Sequence, residues 1–176
     1  MKHIYRAKWR AVVELAKRLQ FNMKTPKQQY IDWPEVYHLC NYVADNVIKP
    51  DLIIGIAAGG VIPAAIIAKR LKVYNVEFIG IKSYTEEKLQ ETIQMYQAPQ
   101  HPIPLDKKIL IVDDLLDSGN SFKYIRNYLY NLSVSPFNVQ FGAMHYKLKT
   151  EDQFKPHNFV YGTQCAGDIW LAYPWE

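Results

Sequence analysis

The chain has 176 residues, of which 49% are hydrophobic, and its formal net charge is +4 at pH 7. That length can bury the core of one domain, and the scattered lysines and arginines argue against a nucleic-acid partner. Cys40 and Cys165 lack metal-ligand spacing and suit a reducing compartment, without a disulfide. The first 20 residues lack the uninterrupted apolar core and the cleavage site of a secretory signal, and no apolar stretch is long enough to span a membrane, so we expect a cytoplasmic protein.

The first elements are helical. Apolar residues recur at helical spacing over about 4–20, which predicts an amphipathic helix with a basic outer face. We interpret residues 1–27 as an N-terminal helical extension that serves as a packing arm, with a membrane-surface helix as the alternative. After a polar linker, Asp32 is followed three residues later by Glu35, which predicts a second, capped helix.

From Leu52 onward the pattern changes to alternating strands and helices. The apolar runs "LIIGIA", "VEFIGIK", "KILIVDD", "NVQFGAMHYK" and "FVYG" predict strands, and helices follow the first and the third. This alternation is typical of an α/β fold with a mostly parallel central sheet flanked by helices on both faces. Residues 83–106 form a long polar connection, which we interpret as an active-site lid or a disordered loop, with an extra strand or helix in part of it as a further alternative.

Two glycine-containing turns follow predicted strands, at the edge where open parallel sheets bind ligands. The turn "DSGNS" at 117–121 can direct backbone N–H groups and two serine hydroxyls to a phosphate. The turn "AAGG" at 57–60 offers similar chemistry to a second phosphoryl group. Asp113 and Asp114 leave their strand on opposite faces and suit sugar hydroxyls and Mg²⁺. The alternative is that these carboxylates only cap the next helix and pair with lysines.

These motifs resemble those of one enzyme family. "ILIVDDLLDSGNS" at 109–121 resembles the phosphoribosyl diphosphate (PRPP) binding motif of type I phosphoribosyltransferases. "IGIAAGGVIPAAIIAKRL" resembles the family's diphosphate-binding loop, and "IKSYTEE" the start of its mobile catalytic loop. "HYK" and "DIWLAYPWE" are similar to the base-binding hood of the xanthine-guanine branch. The resemblance covers about 28–176, with a C-terminal hood formed largely by about 145–176, and it implies the type I phosphoribosyltransferase fold.

The resemblance implies a Mg²⁺-dependent reaction in which guanine, xanthine or hypoxanthine displaces diphosphate from PRPP to give a nucleoside 5′-monophosphate. It implies that Asp117 is catalytic, as a stabiliser or proton acceptor at N7 of the purine. Lys147 would reach O6, Trp170 would stack on the base, and carbonyls around Leu171 would accept from an amine. The residues implied at the metal are Asp113, Asp114 and Asp168. The residues implied at PRPP are Ala57, Ala58, Gly59, Gly60, Ser83, Tyr84, Asp113, Asp114, Asp117, Ser118, Gly119, Asn120 and Ser121.

Two positions depart from the family pattern. Ala58 stands where the xanthine-guanine branch usually has a basic residue, so the diphosphate would lose a charge-assisted contact of about 1.5 to 3 kcal/mol. Asn120 stands where a second glycine is common, and asparagine tolerates the left-handed conformation better than most residues.

Three functions stay open from the sequence. The first is the purine phosphoribosyltransferase, and the second is a regulatory protein that senses PRPP or a nucleotide and binds RNA or a protein. The third is a phosphoribosyltransferase for another base. Asp117, Lys147 and Trp170 favour the purine enzyme, because a sensor needs no N7 acceptor and no base hood. The family relation also implies a homo-oligomer, either a dimer or a tetramer.

Overall fold

The computed structural model of the chain describes residues 27–85, 91–149 and 153–176. The helix expected over 4–20 lies outside these ranges, as does all of the proposed extension except Lys27. No helix among the described residues is long and apolar enough to cross a membrane. The described elements are β1 (Lys27–Tyr30), α1 (Trp33–Asn46), β2 (Leu52–Ala57), α2 (Val61–Leu71), β3 (Val76–Thr85), β4 (Glu91–Gln97), β5 (Ile109–Leu116), α3 (Asn120–Asn131), a 3₁₀ turn (Pro136–Asn138), β6 (Val139–Leu148), β7 (Phe159–Ala166) and β8 (Ile169–Ala172).

The central sheet has six strands in the order β4-β3-β2-β5-β6-β7. Every neighbouring pair is parallel except β3 and β4, which are antiparallel. The prediction of a mostly parallel sheet is therefore confirmed. Because β2, β5 and β6 lie side by side and run in the same direction, their carboxyl ends meet at one edge, where the loops that follow them converge.

Helices cover both faces of this sheet, as the apolar strand pattern predicts. Leu110 and Val112 of β5 belong to the core beneath α1 and α2, whereas Ile109 and Ile111 belong to the core beneath α3. Successive side chains of a strand point to opposite faces, so a strand buried on both sides must be apolar at every position. This explains why "ILIV" precedes the polar strand end without alternation.

The predicted cap of α1 is present. The Asp32 side chain accepts a hydrogen bond of 2.8 Å from the backbone N–H of Glu35, which satisfies one of the donors that every helix leaves free at its N-terminus. The apolar face of α1, including Val36, Leu39 and Val43, is buried in the core. The start of the second predicted helix is therefore confirmed.

The long connection over 83–106 contains a strand in addition to β3. β3 continues to Thr85, beyond the predicted end at Lys82, and pairs with β4 in antiparallel register, with Ser83 opposite Ile93. The prediction of a further strand in this connection is confirmed. A lid in this connection stays a prediction, and residues 86–90 lie outside the described part of the chain.

A second, smaller sheet consists of β1 and β8, which pair in parallel with Gln28 opposite Trp170. The sheet is joined to the rest of the fold by Leu171, whose side chain is buried in the main core. Within 145–176, the range proposed for the hood, the end of β6 and all of β7 belong to the six-stranded sheet. Of the strands described in that range, β8 stands apart from that sheet.

Candidate active site

The turn after β2 packs against the end of β5, and two glycines allow the contact. A Cβ added at Gly59 would collide with the carboxylate of Asp114, and one added at Gly60 would collide with the carbonyl oxygen of Val112. The turn could not approach β5 so closely with larger residues at these positions. Because β2 and β5 are neighbouring parallel strands, the two turns that follow them, both predicted to bind phosphoryl groups, lie at the same edge of the sheet.

Asp113 and Asp114 form a buried acidic pair at the end of β5. The Asp113 carboxylate accepts a 2.9 Å hydrogen bond from the backbone N–H of Asp114. Burial and the neighbouring Asp114 charge raise the pKa of Asp113 well above its ordinary value, and burial also raises the pKa of Asp114. Because both groups resist ionisation, hydroxyl donors or a cation beside them would stabilise their ionised forms.

The donor set fits a magnesium ion that arrives with a ligand. The described ranges contain no group of three or more acidic, histidine or cysteine side chains placed to hold a metal, and Asp168 is exposed in the turn between β7 and β8. Mg²⁺ commonly uses one or two carboxylates and takes its other oxygens from substrate phosphates and water. Asp113 and Asp114 meet that requirement, whereas a role for Asp168 stays a prediction.

The turn 117–121 ends at the N-terminus of α3, which favours an anion. Gly119 has φ 79°, in the left-handed region, and precedes the first helical residue, Asn120. The left-handed residue is therefore the glycine, and Asn120 needs no special backbone conformation. Asparagine is accommodated at position 120 because that residue begins the helix, and not through the tolerance that the sequence suggested.

The backbone of Phe154 packs against this turn. Its N–H donates a 3.0 Å hydrogen bond to the carbonyl of Ser118, and its own carbonyl lies where a Cβ at Gly119 would be. Gly119 is thus required twice, for its dihedral angle and for this close approach. The side chain of Arg126 lies over the Phe154 ring at 4.6 Å, which ties the packed segment to α3.

Asp117 is paired with two lysines from the end of β6. Lys147 Nζ lies 3.2 Å from Asp117 Oδ2, and Lys149 Nζ forms an ion pair with Oδ1. Burial by itself raises the pKa of Asp117, but the hydrogen bonds and charges of Lys149 and Lys147 outweigh that effect, so the pKa is lowered. The structure therefore brings the predicted N7 partner and the predicted O6 partner together as a carboxylate–ammonium pair.

The two lysines differ in their surroundings. The side chain of Lys147 is 8% exposed, whereas that of Lys149 is 37% exposed. Sequence reasoning missed Lys149, although residues two apart in a strand lie on the same face. It also missed Gln153, whose side-chain amide donates to the carbonyls of Asp117 and Lys147 and for which no motif gives a signal.

The remaining predicted residues lie at the same edge or on the small sheet. Ser83 and Tyr84 belong to the end of β3, next to β2. Trp170 is 54% exposed on β8, so part of its indole is free to stack, and Leu171 is buried. Trp170 is therefore a surface residue of the small sheet and not a packed core aromatic.

The sequence and structure match known proteins. Residues 28–165 match the family model described as a phosphoribosyl transferase domain. The xanthine-guanine phosphoribosyltransferase of Cereibacter sphaeroides is 32% identical over 125 residues, which cover 70% of this chain and 68% of that protein. The enzyme of the same name from Chromohalobacter salexigens is 29% identical and covers 85% of each chain.

A solved structure is similar over most of the chain. The crystal structure of purine phosphoribosyltransferase from Pyrococcus horikoshii superposes with a TM-score of 0.71 at 25% identity. The match covers 85% of this chain and 94% of that chain. The family match over residues 28–165 includes both glycine turns and Asp113, Asp114 and Asp117.

Proposed function

The chain belongs to the phosphoribosyltransferase family, in its purine branch, and we propose that it transfers the phosphoribosyl group of PRPP to a 6-oxopurine. The products are a nucleoside 5′-monophosphate and diphosphate, and the reaction depends on Mg²⁺. The observation that carries this proposal is the Asp117–Lys147 pair, 3.2 Å apart beside the turn at the N-terminus of α3.

PRPP occupies the edge formed by the two turns. Its 5′-phosphate accepts hydrogen bonds from the backbone amides of 117–121, and the dipole of α3 stabilises the negative charge. Asp113 and Asp114 address the ribose hydroxyls, and a bound Mg²⁺ would neutralise charge on the diphosphate. The diphosphate lies against the turn 57–60, which Gly59 and Gly60 hold next to Asp114.

The Asp117–Lys147 pair recognises the base. A carboxylate and an ammonium group side by side complement the N7 and O6 edge of a 6-oxopurine, because O6 accepts from Lys147 and a proton on N7 is shared with Asp117. Adenine has an amino group at position 6, which would face the ammonium as a second donor. The lowered pKa of Asp117 makes it a weak base, so its role is to stabilise positive charge on the purine as the bond to C1 forms.

The small sheet completes the base site. The exposed face of Trp170 stacks on the purine, and carbonyls near Leu171 accept from the exocyclic amine of guanine. The end of β3, with Ser83 and Tyr84, starts a lid that limits the hydrolysis of PRPP by water. Asp168 would bind either a water molecule on the metal or the diphosphate.

A substrate panel tests the proposal. The purified protein is incubated with PRPP and Mg²⁺ and with guanine, xanthine, hypoxanthine, adenine or uracil, and nucleotide formation is followed by chromatography. We expect product with at least one 6-oxopurine, none with adenine or uracil, and none when EDTA removes the metal. Absence of product with all three 6-oxopurines would refute the proposal, and PRPP binding without any product would favour a sensing protein. Size-exclusion chromatography tests the predicted dimer or tetramer.

A further inference from the structure

A row of polar groups lies behind the strand end that carries Asp114. The Tyr173 hydroxyl is 3.3 Å from the carbonyl oxygen of Asp114 and 3.0 Å from Nδ1 of His145. On the far side of the imidazole ring, Nε2 is 3.6 Å from a carboxylate oxygen of Glu35. We call these four groups the Tyr173 relay. It connects α1 and the C-terminal segment to the proposed ribose site.

The relay is built into the fold and is not a chance surface contact. His145 lies opposite Leu115 in the β5–β6 register, directly beside the acidic strand end. Its side chain is 1% exposed, and Tyr173 is 5% exposed. The Tyr173 ring stacks on Trp175 with centroids 4.9 Å apart and planes 4° from parallel. These contacts fix the hydroxyl of Tyr173 between its two neighbours.

Counting protons assigns the direction of each hydrogen bond. A neutral histidine carries one ring proton, and a tyrosine hydroxyl carries one, so two hydrogen atoms are available for the contacts of His145 and Tyr173. The Asp114 carbonyl can only accept. Both short contacts are satisfied when Nδ1–H of His145 donates to Tyr173 and the Tyr173 hydroxyl donates to Asp114. In the other tautomer the proton is on Nε2, so the Tyr173 hydroxyl donates to Nδ1 and the Asp114 carbonyl receives no hydrogen bond from Tyr173.

The environment of Nε2 agrees with this assignment. Nε2 is buried and has no hydrogen-bond partner within the parts of the chain that the structure describes. Its 3.6 Å separation from Glu35 is too long for a hydrogen bond, so a proton placed on Nε2 would be a buried donor without an acceptor. Burial lowers the pKa of His145 to about 4, so the ring is neutral at pH 7 and carries its single ring proton on either Nδ1 or Nε2.

We propose that Tyr173 is a positioning residue for PRPP, whose hydroxyl, oriented by the Nδ1–H tautomer of His145, holds the backbone of Asp114 in place. This inference rests on the proposed role of Asp114 at the ribose. The peptide N–H of Asp114 is already held by the Asp113 carboxylate, and Tyr173 holds its carbonyl. With both ends of the residue held, the Asp114 carboxylate stays against Gly59, where the turn 57–60 packs on the end of β5.

The first test removes only the hydroxyl. In Tyr173→Phe the ring can still stack on Trp175, and we expect the dissociation constant of PRPP with Mg²⁺, measured by calorimetry, to rise about 2- to 10-fold, the worth of one neutral hydrogen bond. KM for the purine should stay unchanged, because Asp117 and Lys147 do not contact the relay. The matched control is Tyr161→Phe, which removes a hydroxyl that accepts a hydrogen bond from Gln164 on β7.

A purely structural role for Tyr173 makes a different prediction. If the role is purely structural, Tyr173→Phe lowers the melting temperature and changes PRPP affinity and KM for the purine together, or it leaves PRPP affinity and KM both unchanged. Either result would overturn the proposal. If the wild-type protein binds PRPP but forms no nucleotide, the proposed transfer reaction is wrong, whereas the effect of Tyr173→Phe on PRPP binding can still be measured and still tests the role of Tyr173. If it binds no PRPP, the proposed function fails, and with it the role of Tyr173.

The second test does not depend on activity. Nitrogen-15 NMR of labelled histidine distinguishes a protonated Nδ1 from a protonated Nε2 by their chemical shifts, and the signal is assigned by comparison with His145→Gln. We expect the Nδ1–H tautomer in the wild-type protein at pH 7. Finding the proton on Nε2 would refute the relay, whatever the outcome of the substrate panel.

Discussion

Lys147 and Lys149 contact the same carboxylate, and replacing each with glutamine separates binding of the base from support of Asp117. Both substitutions remove one positive charge and keep a side chain of polar character. Lys147 is nearly buried and Lys149 is partly exposed. If Lys147 binds O6 of the purine, its loss removes a contact to substrate as well as an ion pair, whereas the loss of Lys149 removes an ion pair alone.

The expected loss of kcat/KM is larger for Lys147→Gln than for Lys149→Gln, by roughly 2- to 100-fold. A charge-assisted hydrogen bond to the base is worth about 1.5 to 3 kcal/mol, so Lys147→Gln should lower kcat/KM for the 6-oxopurine roughly 10- to 160-fold. An exposed ion pair contributes about 0.2 to 1 kcal/mol, so Lys149→Gln should lower it only roughly 1.5- to 5-fold.

The assay varies the purine at saturating PRPP and Mg²⁺. Losses for Lys147→Gln should appear mainly in KM for the base, with PRPP affinity close to that of the wild type. Equal losses in the two variants would show that both lysines act only through Asp117, and the assignment of Lys147 to O6 would be wrong. Melting temperatures are measured in parallel, because Lys147 is the more buried of the two.

The other predictions concern neighbouring groups. Asp117→Asn should lower kcat far more than it weakens PRPP binding; similar losses in both would make Asp117 a structural cap. The pKa of Asp117 is lowered in the fold, so its ion pairs stabilise the protein at pH values above the ordinary Asp pKa of 3.8. This contribution disappears as the pH falls through the pKa of the folded state. The stability advantage of the wild type over Asp117→Asn, measured by urea unfolding, should therefore shrink on acidification and not grow. Ala58→Arg should tighten PRPP binding by up to about 1.5 to 3 kcal/mol if the added guanidinium reaches the diphosphate, and calorimetry showing unchanged affinity would remove the first turn from the diphosphate site. Gly119→Ala should lower the free energy of unfolding by more than about 1 kcal/mol, because Gly119 has a positive φ and lies against the Phe154 carbonyl, and an unchanged urea midpoint would contradict that packing.

The acidic strand end was predictable because its determinants are adjacent in the chain. Four apolar residues, two aspartates and the turn 117–121 describe a buried parallel strand, its end and the start of a helix, and all three follow from local rules. The cap of α1 at Asp32 is local in the same sense. Such features need no knowledge of distant parts of the chain.

The small sheet was not predictable in this way. β1 is the polar segment "KQQY" and is exposed at every position, so it lacks the alternation that marks a half-buried strand. Its partner, β8, lies about 140 residues later in the chain. Lys149 and Gln153 reach Asp117 for a similar reason, because their positions depend on the connection between β6 and β7 and not on any motif around Asp117.

The three aspartates of one strand end and turn have opposite electrostatic environments, although the sequence presents them as one acidic cluster. Asp113 and Asp114 are buried beside each other and have raised pKa values, whereas two lysines lower that of Asp117. Two lysines thus pair with the carboxylate that we propose faces the base, whereas burial is the main influence on the two carboxylates that we propose face the sugar. A base carries no metal to its site, but PRPP is a polyanion that binds Mg²⁺ through its phosphates. The distribution of lysines is the one expected if positive charge at Asp113 and Asp114 comes with the substrate.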